Sequence, residues 1–317
     1  MNKKVLISFV FSFRNEQENI LELVSRVSKT IDLIQNCDYE MIFVNDASTD
    51  NSLSILLKLQ KKFPITIINM SRNFGVTPCV LAGFQSSKGD AVIYMDSDLQ
   101  DPPELAKDLI SSFRNGNDVV HTTRLKREGE GLIKLWLTKK AYNIINYFSS
   151  LYLPENTGDF KLISKRAVKH ILSLKEYDPY MRGLSIWVGF KQDFIKYNRD
   201  SRFSGETKFP LFSKNPINEF IRGLTSYSAA PLYVSLIVGF FTLIICILLM
   251  LFAFFSKMMG LSAPGSSGIL IFMALFNAII LITNGLMGVY IARIYYEVKE
   301  RPRYIISDII KPTKNAT

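Results

Sequence analysis

Residues 91–104 read AVIYMDSDLQDPPE, and this stretch decides the fold. Ala91 to Met95 form a short continuous apolar run, the pattern of a strand buried on both faces. The run breaks at Asp96-Ser97-Asp98. Asp101-Pro102-Pro103-Glu104 then opens a helix, with Asp101 as N-cap, prolines in the first turn and Glu104 closing a capping box. The same unit recurs upstream. Val5 to Phe11 is a strand, followed from Glu16 to Leu33 by helical spacing through Ile20, Leu23, Val24, Val27 and Ile31. Met41 to Val44 precedes a helix over Ser52 to Lys62, and Ile65 to Asn69 precedes one over Val76 to Ser87. Asp118 to Thr122 adds a strand downstream. Strand and helix alternating in this way predict an α/β fold, a mostly parallel sheet covered on both faces.

Ligands of such sheets bind beyond the carboxyl ends of the strands. The polar clusters fall there: Arg14-Asn15-Glu16, Asn45-Asp46, Ser71-Arg72-Asn73 and Asp96-Ser97-Asp98. Neither GxGxxG nor GxxxxGK[ST] occurs, which argues against dinucleotide and P-loop sites. Two carboxylates at i and i+2 after a buried strand suit a hard cation, Mg²⁺ or Mn²⁺, that also takes oxygens from a substrate phosphate. Such an ion neutralises a leaving diphosphate without proton transfer.

The chain has 317 residues, a formal charge of +10 and a mean hydropathy of +0.15. A basic balance suits nucleic acid, anionic lipid or a phosphorylated substrate. No nucleic-acid recognition motif is present, nor a dense basic run with interleaved aromatics. Membrane and phosphate partners remain, and nucleic acid is excluded. Cys37, Cys79 and Cys246 form no CxxC pattern, and His121 and His170 are too few for a histidine metal site and read as structural.

Leu232 to Phe255 carries no charge, and 24 residues at about 1.5 Å each exceed a hydrocarbon core of about 30 Å. A second uncharged run covers Gly268 to Ile291. The loop between them holds one cation, Lys257. Lys208, Lys214 and Arg222 precede the first run, and Arg293, Lys299, Arg301, Arg303 and Lys311 follow the second. This asymmetry predicts two spans with both large flanks in the cytosol, and Tyr233, Tyr290, Tyr295 and Tyr296 as an inner aromatic belt. Met1 to Phe13 reads as a strand and not as a signal peptide. The expected organisation is a catalytic domain over 1–208, an interfacial segment over 209–230, spans at 232–255 and 268–291, and a basic tail over 292–317.

Several ordered motifs carry a resemblance to a known family. Phe13-Arg14-Asn15-Glu16, Val44-Asn45-Asp46-Ala47-Ser48 and Asp96 to Glu104 look like inverting family 2 glycosyltransferases of the GT-A fold. The likeness continues through Gly158-Asp159-Phe160-Lys161-Leu162, Arg202 to Lys208 and Tyr290 to Tyr295. With two C-terminal spans the chain resembles the polyprenyl-phosphate branch, which includes undecaprenyl-phosphate glucosyltransferases and dolichyl-phosphate mannose synthases. It departs from the usual pattern at Ser12-Phe13-Arg14 (usually Pro-x-Tyr) and at Asn45-Asp46-Ala47-Ser48 (usually Asp-Asp-Gly-Ser).

The resemblance implies that Asn15, Glu16, Asp46 and Asp96 bind the nucleotide sugar. It places Asp98, with Asp96, at the metal, and Asp159 at the position of the catalytic carboxylate. Arg202, Ser204 and Lys208 would bind the acceptor or the diphosphate. The implied reaction moves a hexose, from UDP-glucose or UDP-N-acetylglucosamine with GDP sugars as runner-up, onto undecaprenyl or another polyprenyl phosphate at the bacterial inner membrane. Association of identical chains stays open. A processive polysaccharide synthase carries Gln-x-x-Arg-Trp, and neither Trp136 nor Trp187 lies in such a motif. A non-catalytic relative has no need of Asp46, Asp96, Asp98 and Asp159 together.

Overall fold

The computed structural model describes residues 4–127, 132–149, 151–154, 157–199, 221–260 and 266–312. Four strand–helix units come first: β1 (Val5–Phe13) and α1 (Ile20–Asp32), β2 (Cys37–Asn45) and α2 (Ser52–Leu59), β3 (Ile65–Met70) and α3 (Val76–Ser86), then β4 (Ala91–Tyr94) and α4 (Ala106–Arg114). β5 (Val119–Arg127), α5 (Leu132–Phe148), β6 (Thr157–Ser164), α6 (Lys165–Ser173), α7 (Met181–Trp187) and β7 (Gln192–Arg199) complete the catalytic part. Two long helices, α8 (Ala230–Met258) and α9 (Ser266–Val298), lead to a last strand, β8 (Ile306–Ile310).

All eight strands share one sheet in the order β7-β5-β6-β4-β1-β2-β3-β8. β1 runs parallel to β2 and β4, and β2 parallel to β3, whereas β6 is antiparallel to both β4 and β5. The period of two along β1 sorts its side chains. Ile7, Phe9, Phe11 and Phe13 pack with α1 on one face, and Val10 packs with α3 on the other. The helical positions read from the sequence, Ile20, Leu23, Val24, Val27 and Ile31, are all buried. Each such side chain contributes about 1.5–3 kcal/mol of apolar burial, which fixes α1 across the sheet.

Several boundaries differ from the expectation, each for a local reason. α1 begins at Ile20 because Asn15, Glu16 and Gln17 tie the end of β1 to the segment between β2 and α2. Asn15 N–H donates to Ser48 Oγ (3.1 Å), Glu16 N–H to Ser52 Oγ (3.0 Å) and Gln17 N–H to Asp50 Oδ2 (3.1 Å). The capping box is also corrected. Pro103–Leu105 forms a 3₁₀ turn ahead of α4, and no side chain caps either one. Asp101 instead is buried, and Glu104 receives Arg26 side-on (2.8 and 2.6 Å).

The segment after Ile291 is more than a tail. α9 continues to Val298, and β8 then pairs antiparallel with β3 (Ile68 opposite Ile309). Gln60 Nε2 bridges the carbonyls of Ile65 and Ile310 (2.8 and 3.0 Å) across that seam. α8 and α9 contain stretches apolar and long enough to cross a membrane, Ile237–Ser256 and Leu275–Val298, and neither is buried inside the protein. A soluble core helix would be covered by its neighbours; these are not.

Candidate active site

Three strand ends turn sharply at one edge of the sheet. Asn15, Ala47 and Leu99, just past β1, β2 and β4, all adopt left-handed backbone (φ 55°, 55° and 59°). A side chain there costs roughly 1–2 kcal/mol, so the turns are held by their surroundings. At β4, Ser97 Oγ donates to Ser12 O (3.2 Å) and Leu99 is buried. Asp96 and Asp98 are left half-buried at the rim. Tyr94 donates its hydroxyl to Asp96 Oδ1 (3.2 Å), and Asp98 Oδ1 accepts from Gln100 N–H (3.2 Å).

Asp46 is buried at the end of β2 and organises the β3–α3 loop. Its carboxylate accepts from Asn73 Nδ2 (2.7 Å), Phe74 N–H (2.7 Å) and Gly75 N–H (3.0 Å). Gly75 has φ +93°, a conformation that favours glycine. Asn15 Oδ1 accepts from Thr49 N–H (2.8 Å), and Glu16 Oε2 from Asn19 Nδ2 (2.7 Å). The polar atoms of Asn15, Glu16 and Asp46 thus shape the loops of this edge. Arg202, Ser204 and Lys208 lie outside the described residues.

β6 brings Asp159 to the same edge. Tyr94 pairs with Lys161 across β4 and β6, and just beyond that pair Asp159 lies near enough for its charge to act on Asp96. Arg182, on α7, holds Asp159 side-on (Nε to Oδ1 3.1 Å, Nη2 to Oδ2 2.7 Å). Lys161, two residues along β6 from Asp159, is buried and donates to Ser185 Oγ one turn after Arg182 (3.0 Å). Arg124 closes the group from β5. It pairs with Asp101 (3.4 Å) and donates to Tyr197 Oη (3.1 Å), while Tyr197 donates to Asp101.

The charges follow from this packing. Burial, then the charges of Asp159, Asp98 and Asp101, pushes the Asp96 carboxyl up to about 7. Burial also raises Asp159, but Arg182, Lys161 and Arg124 outweigh it and hold that carboxyl well below the usual range. Burial lowers Lys161 to about 8. Among the described residues no three His, Cys, Asp or Glu side chains form a metal cage. The acidic pair still fits a hard cation that completes its shell with ligand oxygens, because Asp96 has carboxylates around it and too little positive charge. His121 is structural: it stacks on Phe194 (4.8 Å) and pairs with Gln192 (2.9 Å).

Sequence reasoning singled out Asp159 and missed Arg124, Lys161 and Arg182. The period of two along β6 was the one available sign for Lys161. Nothing local marks Arg124 or Arg182, whose carboxylate partners lie 23 residues away in each case.

Residues 8–172 match the glycosyl transferase family 2 description. The chain belongs to that family. This family 2 glycosyltransferase has a GT-A sheet followed by two apolar helices, and its relatives align over nearly the whole length. It is 36% identical over 308 residues to an uncharacterized glycosyltransferase of Synechocystis, covering 96% of this chain and 95% of that one. It is 33% identical over 310 residues to the prophage bactoprenol glucosyl transferase homolog of Escherichia coli (96% and 99% covered). It is 35% identical over 302 residues to the bactoprenol glucosyl transferase of Shigella phage SfII (95% and 97% covered). Among solved structures, mannosyl-3-phosphoglycerate synthase of Rubrobacter xylanophilus aligns with a TM-score of 0.47 and 15% identity, over 69% of this chain and 72% of that one.

Proposed function

We propose that this glycosyltransferase moves a hexose from a UDP sugar, glucose or N-acetylglucosamine, onto undecaprenyl or another polyprenyl phosphate at the cytosolic face of the bacterial inner membrane. The observation that carries this reading is the alignment with bactoprenol glucosyl transferases through both apolar helices as well as the catalytic sheet. A lipid acceptor explains why the soluble site and the apolar helices form one unit. The basic flanks at Arg222 and at Arg293 to Lys311 favour the cytosolic orientation.

The reaction is a single displacement at the anomeric carbon with inversion. An acceptor phosphate oxygen forms the new C–O bond, the bond to UDP breaks, and its electron pair leaves on the diphosphate. A phosphate monoester loses its second proton near pH 6, so at neutrality the nucleophile is already a dianion. Asp159, held far below neutrality by Arg182 and Lys161, is a poor base and suits orientation of the acceptor instead. Asp96 and Asp98 would hold Mg²⁺ or Mn²⁺, which neutralises charge on the departing diphosphate.

The test is a panel of nucleotide sugars offered to purified protein with undecaprenyl phosphate. One UDP hexose should give a lipid-linked sugar far faster than the others, and no lipid product from any donor rejects the proposal. Orientation is read separately. A cysteine at Ser266 should label from outside intact cells and one at Ser307 should not; the reverse pattern would part the site from cytosolic nucleotide sugars.

A further inference from the structure

The bond between Arg182 and Asp159 leaves part of the guanidinium unused. Nε and Nη2 both serve the carboxylate, so Nη1 and its two N–H groups have no hydrogen-bond partner among the described residues. The pair is also open. The Arg182 side chain keeps 32% of its accessible surface and Asp159 keeps 23%, whereas a purely structural pair gains by closing its remaining donors off. The charge of Arg182 is felt at Tyr94, which donates to Asp96, so Arg182 stands near the acidic pair.

α7 is joined to the apolar helices on its other side. Gly183, next to Arg182, has no room for a side chain: a Cβ there would lie 2.1 Å from the Tyr227 ring. Tyr227 donates to Tyr180 O (3.2 Å), and Arg222 donates to Asp178 (2.8 Å). The same segment meets α9. Arg293 donates to Ser226 Oγ (3.1 Å) and Tyr290 to Ser228 O (2.8 Å). α7 is thus linked on one side to Asp159 and, through residues 226–228, on the other to α9.

We infer that Arg182 binds the acceptor phosphate through Nη1 while it holds Asp159 through Nε and Nη2. This assignment rests on the proposed lipid-phosphate acceptor. One planar guanidinium then fixes nucleophile and carboxylate in a single geometry, which a lysine, as a point charge, cannot do. The local charge supports it. Arg124 is matched by Asp101, while Asp159 faces both Arg182 and Lys161, and the surplus positive charge suits an incoming phosphate.

The full-length protein in detergent is titrated calorimetrically with farnesyl phosphate, with farnesol as a control for the apolar tail. Arg182→Ala should weaken farnesyl phosphate about 10-fold or more, with farnesol and UDP–Mn²⁺ binding unchanged. Arg182→Lys should recover part of the loss, and it serves as the informative variant should Arg182→Ala fail to fold. In turnover, KM for undecaprenyl phosphate should rise and the donor KM should stay. Wild-type affinity for farnesyl phosphate in a folded Arg182 variant overturns the inference and leaves the acceptor reading intact. Failure of the wild type to bind farnesyl phosphate while it binds UDP–Mn²⁺ overturns the acceptor reading, and the inference with it.

Discussion

The two halves of the catalytic edge are built on opposite electrostatic plans. Where β1, β2 and β4 end, Asp46, Asp96 and Asp98 gather on strained turns, and the carboxyl of Asp96 resists ionisation. Where β5, β6 and α7 meet, Arg124, Lys161 and Arg182 surround Asp159 and keep it ionised. Two carboxylates close together thus have opposite proton affinities, set by their neighbours alone. The first half is short of positive charge. The second has positive charge to offer and waits for an anion. A cation-bound diphosphate and a lipid phosphate are complementary to those two needs.

The largest effect that could break this contrast is chemical. Asp98→Asn should lower transfer by on the order of 1000-fold with Mg²⁺ or Mn²⁺ present, because the loss of a hard oxygen ligand removes several kcal/mol of charge stabilisation. Near wild-type turnover in that variant would detach the acidic pair from the cation. The opposite half should fail through the fold. Arg124→Ala removes the cation that pairs with the buried Asp101, and should cost about 3 kcal/mol, read as a clear drop in melting temperature.

The sign of the acidic half is tested by pH. Asp96 stays protonated in the folded, metal-free protein up to about 7, whereas an unfolded carboxyl ionises near about 4. The folded state therefore holds the extra proton between those values, and stability falls as pH rises through that window. Asp96→Asn lacks this loss. In EDTA it should melt above wild type at about pH 8 and nearly with it at about pH 4, and a constant difference would refute the assignment. The smallest effect concerns strain. Ala47→Gly relaxes a left-handed residue, and should raise stability by about 1 kcal/mol.

How far the sequence could be read follows the same division. The acidic half is made of short-range relations: strand, break and carboxylate pair stand within a dozen residues, and the helix pattern of α1 is entirely local. The basic half depends on contacts between distant positions. Arg182 reaches Asp159 only because α7 packs on β6, and Asp101, which reads as a helix cap, is claimed by Arg124 and Tyr197. β8 is the extreme case. Ile306–Ile310 looks like the end of a basic tail, and nothing in its composition announces a partner more than 200 residues earlier.

The account is tested most directly by offering the purified wild-type protein UDP-glucose and UDP-N-acetylglucosamine, both labelled in the sugar, with undecaprenyl phosphate in one reaction and undecaprenol in another. The two halves together predict labelled lipid from the phosphate, none from the alcohol, and loss of the signal when EDTA removes the cation. Label passing to the alcohol, into polymer, or undiminished in EDTA would contradict it.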